Sequence, residues 1–177
     1  MKQSLRVLVC ALGMVLVSVA AASAAPDRTI EMTPGTLKTW AGTDAPGANV
    51  AYWGDPVTGS NATRACGKNV QDYCDYVLLA FTNPVPDTDA DGRVTRSATI
   101  TVDANNDVSD FDLVAYASDA AGTRGTELVR DARFIYAATT ETVTVSVQTT
   151  RTQPTVYVLA EIVYFTAAQG YAGSVSF

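Results

Sequence analysis

Two groups of aspartates in the middle of the chain are the side chains best suited to chemistry, because closely spaced carboxylates can hold a hard cation. The first group is Asp87, Asp89 and Asp91, at alternate positions before Gly92, which is the spacing that begins a calcium loop. Ala98 stands where the closing glutamate of an EF-hand would be. An EF-hand is therefore excluded, and two interpretations stay open: a polar hairpin turn between two strands, and a loop-borne calcium site on a β-scaffold.

The second group follows directly and consists of Asp103, Asp107, Asp110 and Asp112. Asp110 and Asp112 occupy alternate positions of a predicted strand and so point to the same side. Two like charges side by side need a cation, an arginine or open solvent. A calcium site is one interpretation of this group, and a solvated face paired with Arg124 or Arg130 is the other.

The chain has no histidine, which excludes Ser-His-Asp and Cys-His catalysis and every metal site that uses histidine ligands. Beyond the first 24 residues its only lysines are Lys38 and Lys68. A hydrolase would have to use paired carboxylates, yet neighbouring positions on one strand, such as Asp110 and Asp112, do not straddle a sugar. Glu161, inside an apolar run, is the one carboxylate expected to be buried. We therefore predict no catalytic activity.

Residues 1–24 are typical of a secretory signal peptide. Lys2 and Arg6 precede an apolar run, and Ala22-Ser-Ala24 predicts cleavage after Ala24. The apolar run is too short for a good membrane span. The protein is thus expected to be secreted, with no membrane span.

Removal of the signal leaves ten basic against eighteen acidic side chains, a net charge of −8. This balance argues against nucleic acid and anionic membranes as partners, since phosphates attract lysine and arginine. An extracellular polymer or protein is the expected class of partner.

Cys66 and Cys74 are the cysteines that remain after processing, and an oxidising compartment predicts a disulfide between them. A metal site is the rival interpretation, but two further soft ligands are missing. Trp40, Tyr52 and Trp53 lie in the loop-rich part before residue 73. They could form an aromatic platform for a ligand, although burial at an edge of the core is the more common fate of tryptophan.

Short alternating segments predict an all-β protein. Strands are expected at Thr36–Trp40, Val50–Trp53 and Asp75–Phe81, and then at intervals of about ten residues to Phe177. In Val94–Val102 the apolar residues alternate with threonine and serine, and Phe111, Leu113 and Ala115 share one face of the next strand. This pattern favours an antiparallel β-sandwich or jelly roll. We expect residues 25–72 to pack on a sandwich formed by residues 73–177, as one domain.

Several segments resemble the bacterial pre-peptidase C-terminal domain, a jelly-roll sandwich of secreted proteases and other exported proteins. They are Asp110-Phe-Asp-Leu-Val-Ala-Tyr116, Glu141-Thr-Val-Thr-Val145, Val156-Tyr-Val-Leu159 and the closing Gly170–Phe177. Trp40-Ala-Gly42 and the Cys66–Cys74 loop resemble stand-alone exported relatives. The resemblance implies a non-catalytic accessory module with calcium-binding relatives. The alternatives are a secreted carboxylate-dependent hydrolase and a structural protein of the envelope or matrix.

Overall fold

The computed structural model describes residues 26–42, 74–86, 90–104, 106, 109–131, 139–166 and 170–177. Nine β-strands and no helix lie within these ranges, and so no helix there could cross a membrane. In chain order the strands are β1 Arg28–Met32, β2 Leu37–Ala41, β3 Cys74–Thr82, β4 Arg93–Asp103, β5 Asp110–Ser118, β6 Arg124–Asp131, β7 Thr140–Thr150, β8 Thr155–Thr166 and β9 Ala172–Ser176. The all-β prediction is confirmed.

The strands form two sheets packed as a sandwich. The five-stranded sheet has the order β1-β3-β8-β5-β6, and the four-stranded sheet has the order β2-β9-β4-β7. Strand pairs are antiparallel except for β1 with β3, which is parallel. The predicted sandwich is confirmed, and the parallel edge pair is a departure from a purely antiparallel arrangement.

The sequence did not predict β1. This strand buries Met32 fully and Ile30 in part, whereas Thr29 and Glu31 are exposed. Five residues with two apolar side chains give too weak an alternation to distinguish a strand from a loop. Both β1 and β2 precede residue 73, and each supplies an edge strand to a different sheet.

The main core lies between the sheets and follows the predicted alternation. Buried side chains from β4 and β7 alternate with outward threonines and serines, and β5 contributes Phe111, Leu113 and Ala115. The inward residues of the four-stranded sheet include Ala98, Ile100, Val102, Val143, Val145, Val147 and Val175. The period of two in these strands thus decides which side chains face solvent.

The central strands of the five-stranded sheet carry buried apolar side chains on their outer face as well. Leu78, Val114, Tyr116 and Leu159 form a second cluster there, each no more than 5 % exposed. This explains why β8 is a nearly continuous apolar run, since a strand buried on both faces has no reason to alternate. The two sheets therefore differ: the central strands of one are buried on both faces, and the other presents its outer face to solvent.

Candidate functional site

The outer face of the four-stranded sheet presents hydroxyl groups almost without interruption. Twelve outward residues make up its central part, and ten of them are serine or threonine. None of the twelve is charged. We call this set the hydroxyl face: Leu37, Thr39, Thr95, Ser97, Thr99, Thr101, Thr142, Thr144, Ser146, Gln148, Ser174 and Ser176.

The strand register arranges these residues in rows that cross the sheet. The first row is Thr39, Ser174, Thr101 and Thr142, and the second is Leu37, Ser176, Thr99 and Thr144. Further rows, two residues wide, pair Ser97 with Ser146 and Thr95 with Gln148. Strand geometry puts neighbours in a row about 4.8 Å apart and successive rows about 6.7 Å apart. The hydroxyls therefore form a regular two-dimensional array.

Side chains within the rows are hydrogen-bonded to each other. The hydroxyl oxygens of Thr101 and Thr142 are 3.2 Å apart, and those of Thr99 and Thr144 are 3.4 Å apart. Each hydroxyl can donate one hydrogen bond and accept two. A hydrogen-bonded pair therefore uses one of its two protons and keeps the other, together with several lone pairs, for a ligand.

The face is electrically neutral in a chain whose net charge is −6. On β4 the charged outward residues begin only at the two strand ends, with Arg93 and Asp103. Exposed sheet faces usually mix charges of both signs. From the sequence these threonines and serines indicated only that the segments are strands. The face itself could not be predicted, because its rows bring together β2, β4, β7 and β9, which are far apart in the chain.

The predicted acidic cluster is not brought together as one site. Asp103 points outward from the four-stranded sheet, whereas Asp112, only 3 % exposed, lies on the outer face of the five-stranded sheet beside Val114. Two packed sheets, about 10 Å apart, separate these carboxylates. Asp103 and Asp112 therefore cannot share a cation, and calcium binding by the rest of the group stays a prediction.

The other predicted metal ligands lie partly outside the described residues. Asp91 is exposed at the turn before Gly92, which has a positive φ of 62°, and Asp110 is half-buried at the start of β5. Asp87, Asp89 and Asp107 fall outside the described ranges. Among the residues that are described, no three acidic or cysteine side chains are grouped as a metal site would require.

Glu161 is fully buried, as expected from the sequence, and it is paired with an arginine. Its carboxylate accepts a hydrogen bond of 2.7 Å from Arg124, whose guanidinium lies 5.3 Å from the centre of the Tyr116 ring. Burial and the nearby Glu161 charge raise the pKa of the Tyr116 phenol. Arg124 is paired with Glu161, and Arg130 is paired with Glu127. The solvated face in which one of these arginines pairs with Asp110 or Asp112 stays an alternative.

Trp40 is part of the core and not part of a ligand platform. Its side chain is 9 % exposed, and its indole Nε1–H donates to the Tyr171 hydroxyl at 3.2 Å. This burial removes Trp40 from the predicted aromatic surface and supports the alternative of core packing. Tyr52 and Trp53, the other members of that surface, fall outside the described residues.

A buried polar network that includes Tyr171, the hydrogen-bond partner of Trp40, lies at this end of the core. The Tyr164 hydroxyl donates to the carboxylate of Asp75 at 3.0 Å, and Tyr171 packs edge-on against Phe111. Burial, followed by the charge of Asp75, raises the pKa of Tyr171 far above its ordinary value. Because the buried Asp75 carboxylate accepts a hydrogen bond from Tyr164, this network satisfies the carboxylate without making it available to substrate.

Cys74 opens β3 and is disulfide-bonded. It shares the outer side of β3 with Tyr76 and Leu78, opposite to core residues Val77 and Leu79. Its predicted partner, Cys66, is not among the described residues, and so the pairing stays a prediction.

Comparisons with known proteins add little beyond the fold. No family model matches the chain, and no curated protein matches it. A solved structure that resembles it is the pre-peptidase C-terminal domain of a collagenase from Bacillus anthracis. The TM-score is 0.38 with 7 % sequence identity, and the match covers 85 % of this chain and 95 % of that one. At these values the likeness is one of fold only and says nothing about a ligand.

Proposed function

We propose that this protein is a secreted, non-catalytic β-sandwich module that binds an extracellular polymer through the hydroxyl face. The observation that carries the proposal is the array of ten exposed or half-exposed serine and threonine hydroxyls on one neutral sheet surface. Strand backbone and β-branched side chains are already restricted before binding. Ligand contacts on such a surface therefore cost little conformational entropy.

Two buried carboxylates, Glu161 and Asp75, support a binding role over hydrolysis. Glu161 has no exposed surface and is neutralised by Arg124, and Asp75 is held by Tyr164 inside the sandwich. A general acid or base must come within hydrogen-bond reach of its substrate. These two carboxylates are fixed in structural roles instead.

The edges of the two sheets support a binding module that does not assemble through its edge strands over a structural protein that does. Asp131 accepts a hydrogen bond of 2.9 Å from the backbone N–H of Thr142 on β7, and Arg28 donates one of 2.8 Å to the carbonyl of Ala41 on β2. Both bonds use backbone groups on edge strands that another chain would need. Side-chain protection of this kind suppresses edge-to-edge pairing.

The test is retention of the purified protein on insoluble extracellular and cell-wall material from the cells that produce it. We expect the wild type to sediment with this material and Thr144→Lys, which puts a charge in the hydroxyl face, to stay in solution. Thr29→Lys is the matched control, because Thr29 is an exposed strand threonine of the other sheet. Absence of retention, or equal retention of all three proteins, would overturn the proposal.

A further inference from the structure

The hydroxyl face has the chemistry of a surface for a neutral polysaccharide, and we infer that an extended, uncharged glycan lies across its strands. This inference rests on the proposed function and specifies the class of polymer. It is carried by three properties of the face: its hydrogen-bonding groups, its lack of charge and the spacing of its rows.

The hydrogen-bonding groups match those of sugars. A serine or threonine hydroxyl donates and accepts, as a sugar hydroxyl does, whereas lysine or glutamate side chains only donate or only accept. The pairs Thr101–Thr142 and Thr99–Thr144 each retain one free proton and several lone pairs after bonding to each other. Both partners can thus adapt to a sugar hydroxyl of either orientation.

The absence of charge selects against charged polymers. An anionic glycan would meet the negative field of the whole protein and find no arginine or lysine among the twelve face residues. A cationic polymer would find no carboxylate there and would be drawn to acidic regions elsewhere. A neutral glycan loses no charge solvation when it binds.

The spacing indicates how the glycan lies. Neighbouring strands are about 4.8 Å apart, which is close to the length of one pyranose unit, so that a chain crossing the sheet meets a new hydroxyl at each sugar. The two rows four residues wide, about 6.7 Å apart, would flank that chain. Threonine methyl groups and Leu37, which is 66 % exposed at the edge of the second row, provide apolar contact for the ring C–H groups.

The experiment compares retention of the purified protein on three polymers: regenerated cellulose as the neutral probe, polygalacturonate as the anionic probe and chitosan as the cationic probe. The test variant is Thr101→Val/Thr142→Val, which keeps side-chain shape and strand preference but removes both hydroxyls of one pair. Thr29→Val on the other sheet is the matched control. Circular dichroism and melting temperature establish that each variant is folded.

We expect the wild type and Thr29→Val to bind cellulose in preference to both charged polymers, and the double variant to bind it roughly tenfold more weakly, as the loss of about two hydrogen bonds implies. Unchanged binding by the folded double variant, or preference for a charged polymer, would overturn the inference. If cellulose is not bound while native extracellular material still retains the protein, the inference fails and the proposed function stands. If neither is bound, both fail.

Discussion

The indole of Trp40 lies directly against the backbone of Gly173, its cross-strand partner on β9. A Cβ atom built on Gly173 would be 2.0 Å from the Trp40 ring, closer than any van der Waals contact allows. The ring therefore occupies the volume that any other residue at position 173 would need. This contact links β2 to β9 and fixes one end of the core.

Gly173→Ala is predicted to destabilise the protein by about 1–3 kcal/mol, the usual range for overpacking a well-packed core. The reason is that the added methyl group forces Trp40 away and weakens its hydrogen bond to Tyr171. Urea unfolding measures the difference. Ala172→Ser, at the exposed neighbouring position, should leave the free energy of unfolding nearly unchanged. Equal stability of Gly173→Ala and the wild type would contradict the packing described.

Arg124→Met is expected to cost about 2–3 kcal/mol, because it leaves the fully buried Glu161 carboxylate without its arginine. The cost is below the 3–5 kcal/mol typical of breaking a fully buried pair, since the Arg124 side chain is 29 % exposed. Arg124→Met/Glu161→Gln should recover much of the loss, because the buried charge is then absent. If the double variant is no more stable than Arg124→Met, the unpaired Glu161 charge is not the cause of the destabilisation.

Stability is predicted to fall on the alkaline side. Burial raises the pKa of Tyr116 above its ordinary value of 10.0, so that folding favours the neutral phenol. The associated stability is present below pH 10 and is lost as the pH rises towards the folded-state pKa. Unfolding free energies measured between pH 8 and 11 should decline, and Tyr116→Phe should decline less steeply. If the free energy of unfolding of Tyr116→Phe falls with pH as steeply as that of the wild type, Tyr116 does not cause the decline.

We predict that the protein is exported, that its mature form begins at Ala25 and that it contains no free thiol, since Cys66 and Cys74 should be joined. In the chain-entropy model a ring of this size stabilises by roughly 2.5 kcal/mol. Intact mass spectrometry should give residues 25–177 less two hydrogens. Two alkyl groups added by iodoacetamide without reduction would disprove the pairing, and a retained leader would disprove the cleavage.

Calcium is predicted to raise the melting temperature through the loop Asp87–Asp91, by roughly 3–8 °C at a concentration well above its dissociation constant. Asp87→Asn/Asp89→Asn should abolish the shift. Asp103→Asn is the control, because Asp103 lies at the end of β4 that is far from this loop. Arg93, which begins β4 two positions after Asp91, is about 33 Å from Asp103 by strand rise. Identical melting curves in millimolar calcium and in chelator would show that calcium does not stabilise the protein.

Local pattern was sufficient to predict the class of fold but not the candidate site. The alternation in β4 and β7 predicted which side chains are buried, because strand geometry imposes a period of two whatever the neighbours are. The hydroxyl face also needs the register of β9 between β2 and β4, which depends on pairings between distant segments. For the same reason Asp103 and Asp112, nine positions apart in the chain, were predicted to be together and lie on opposite sides of the sandwich.

Pairing of β2 with β9 has a consequence for how the chain acquires its structure. Trp40 pairs with Gly173, which follows it by more than a hundred residues, and the edge of the four-stranded sheet forms only when these two segments meet. Contacts between such distant segments slow folding, because a long loop must close before they contribute. During synthesis, which proceeds from the N-terminus, β2 stays without its partner until nearly the whole chain has emerged. The rows that cross all four strands are therefore among the last features to form, and a chain that ends before β9 would lack them.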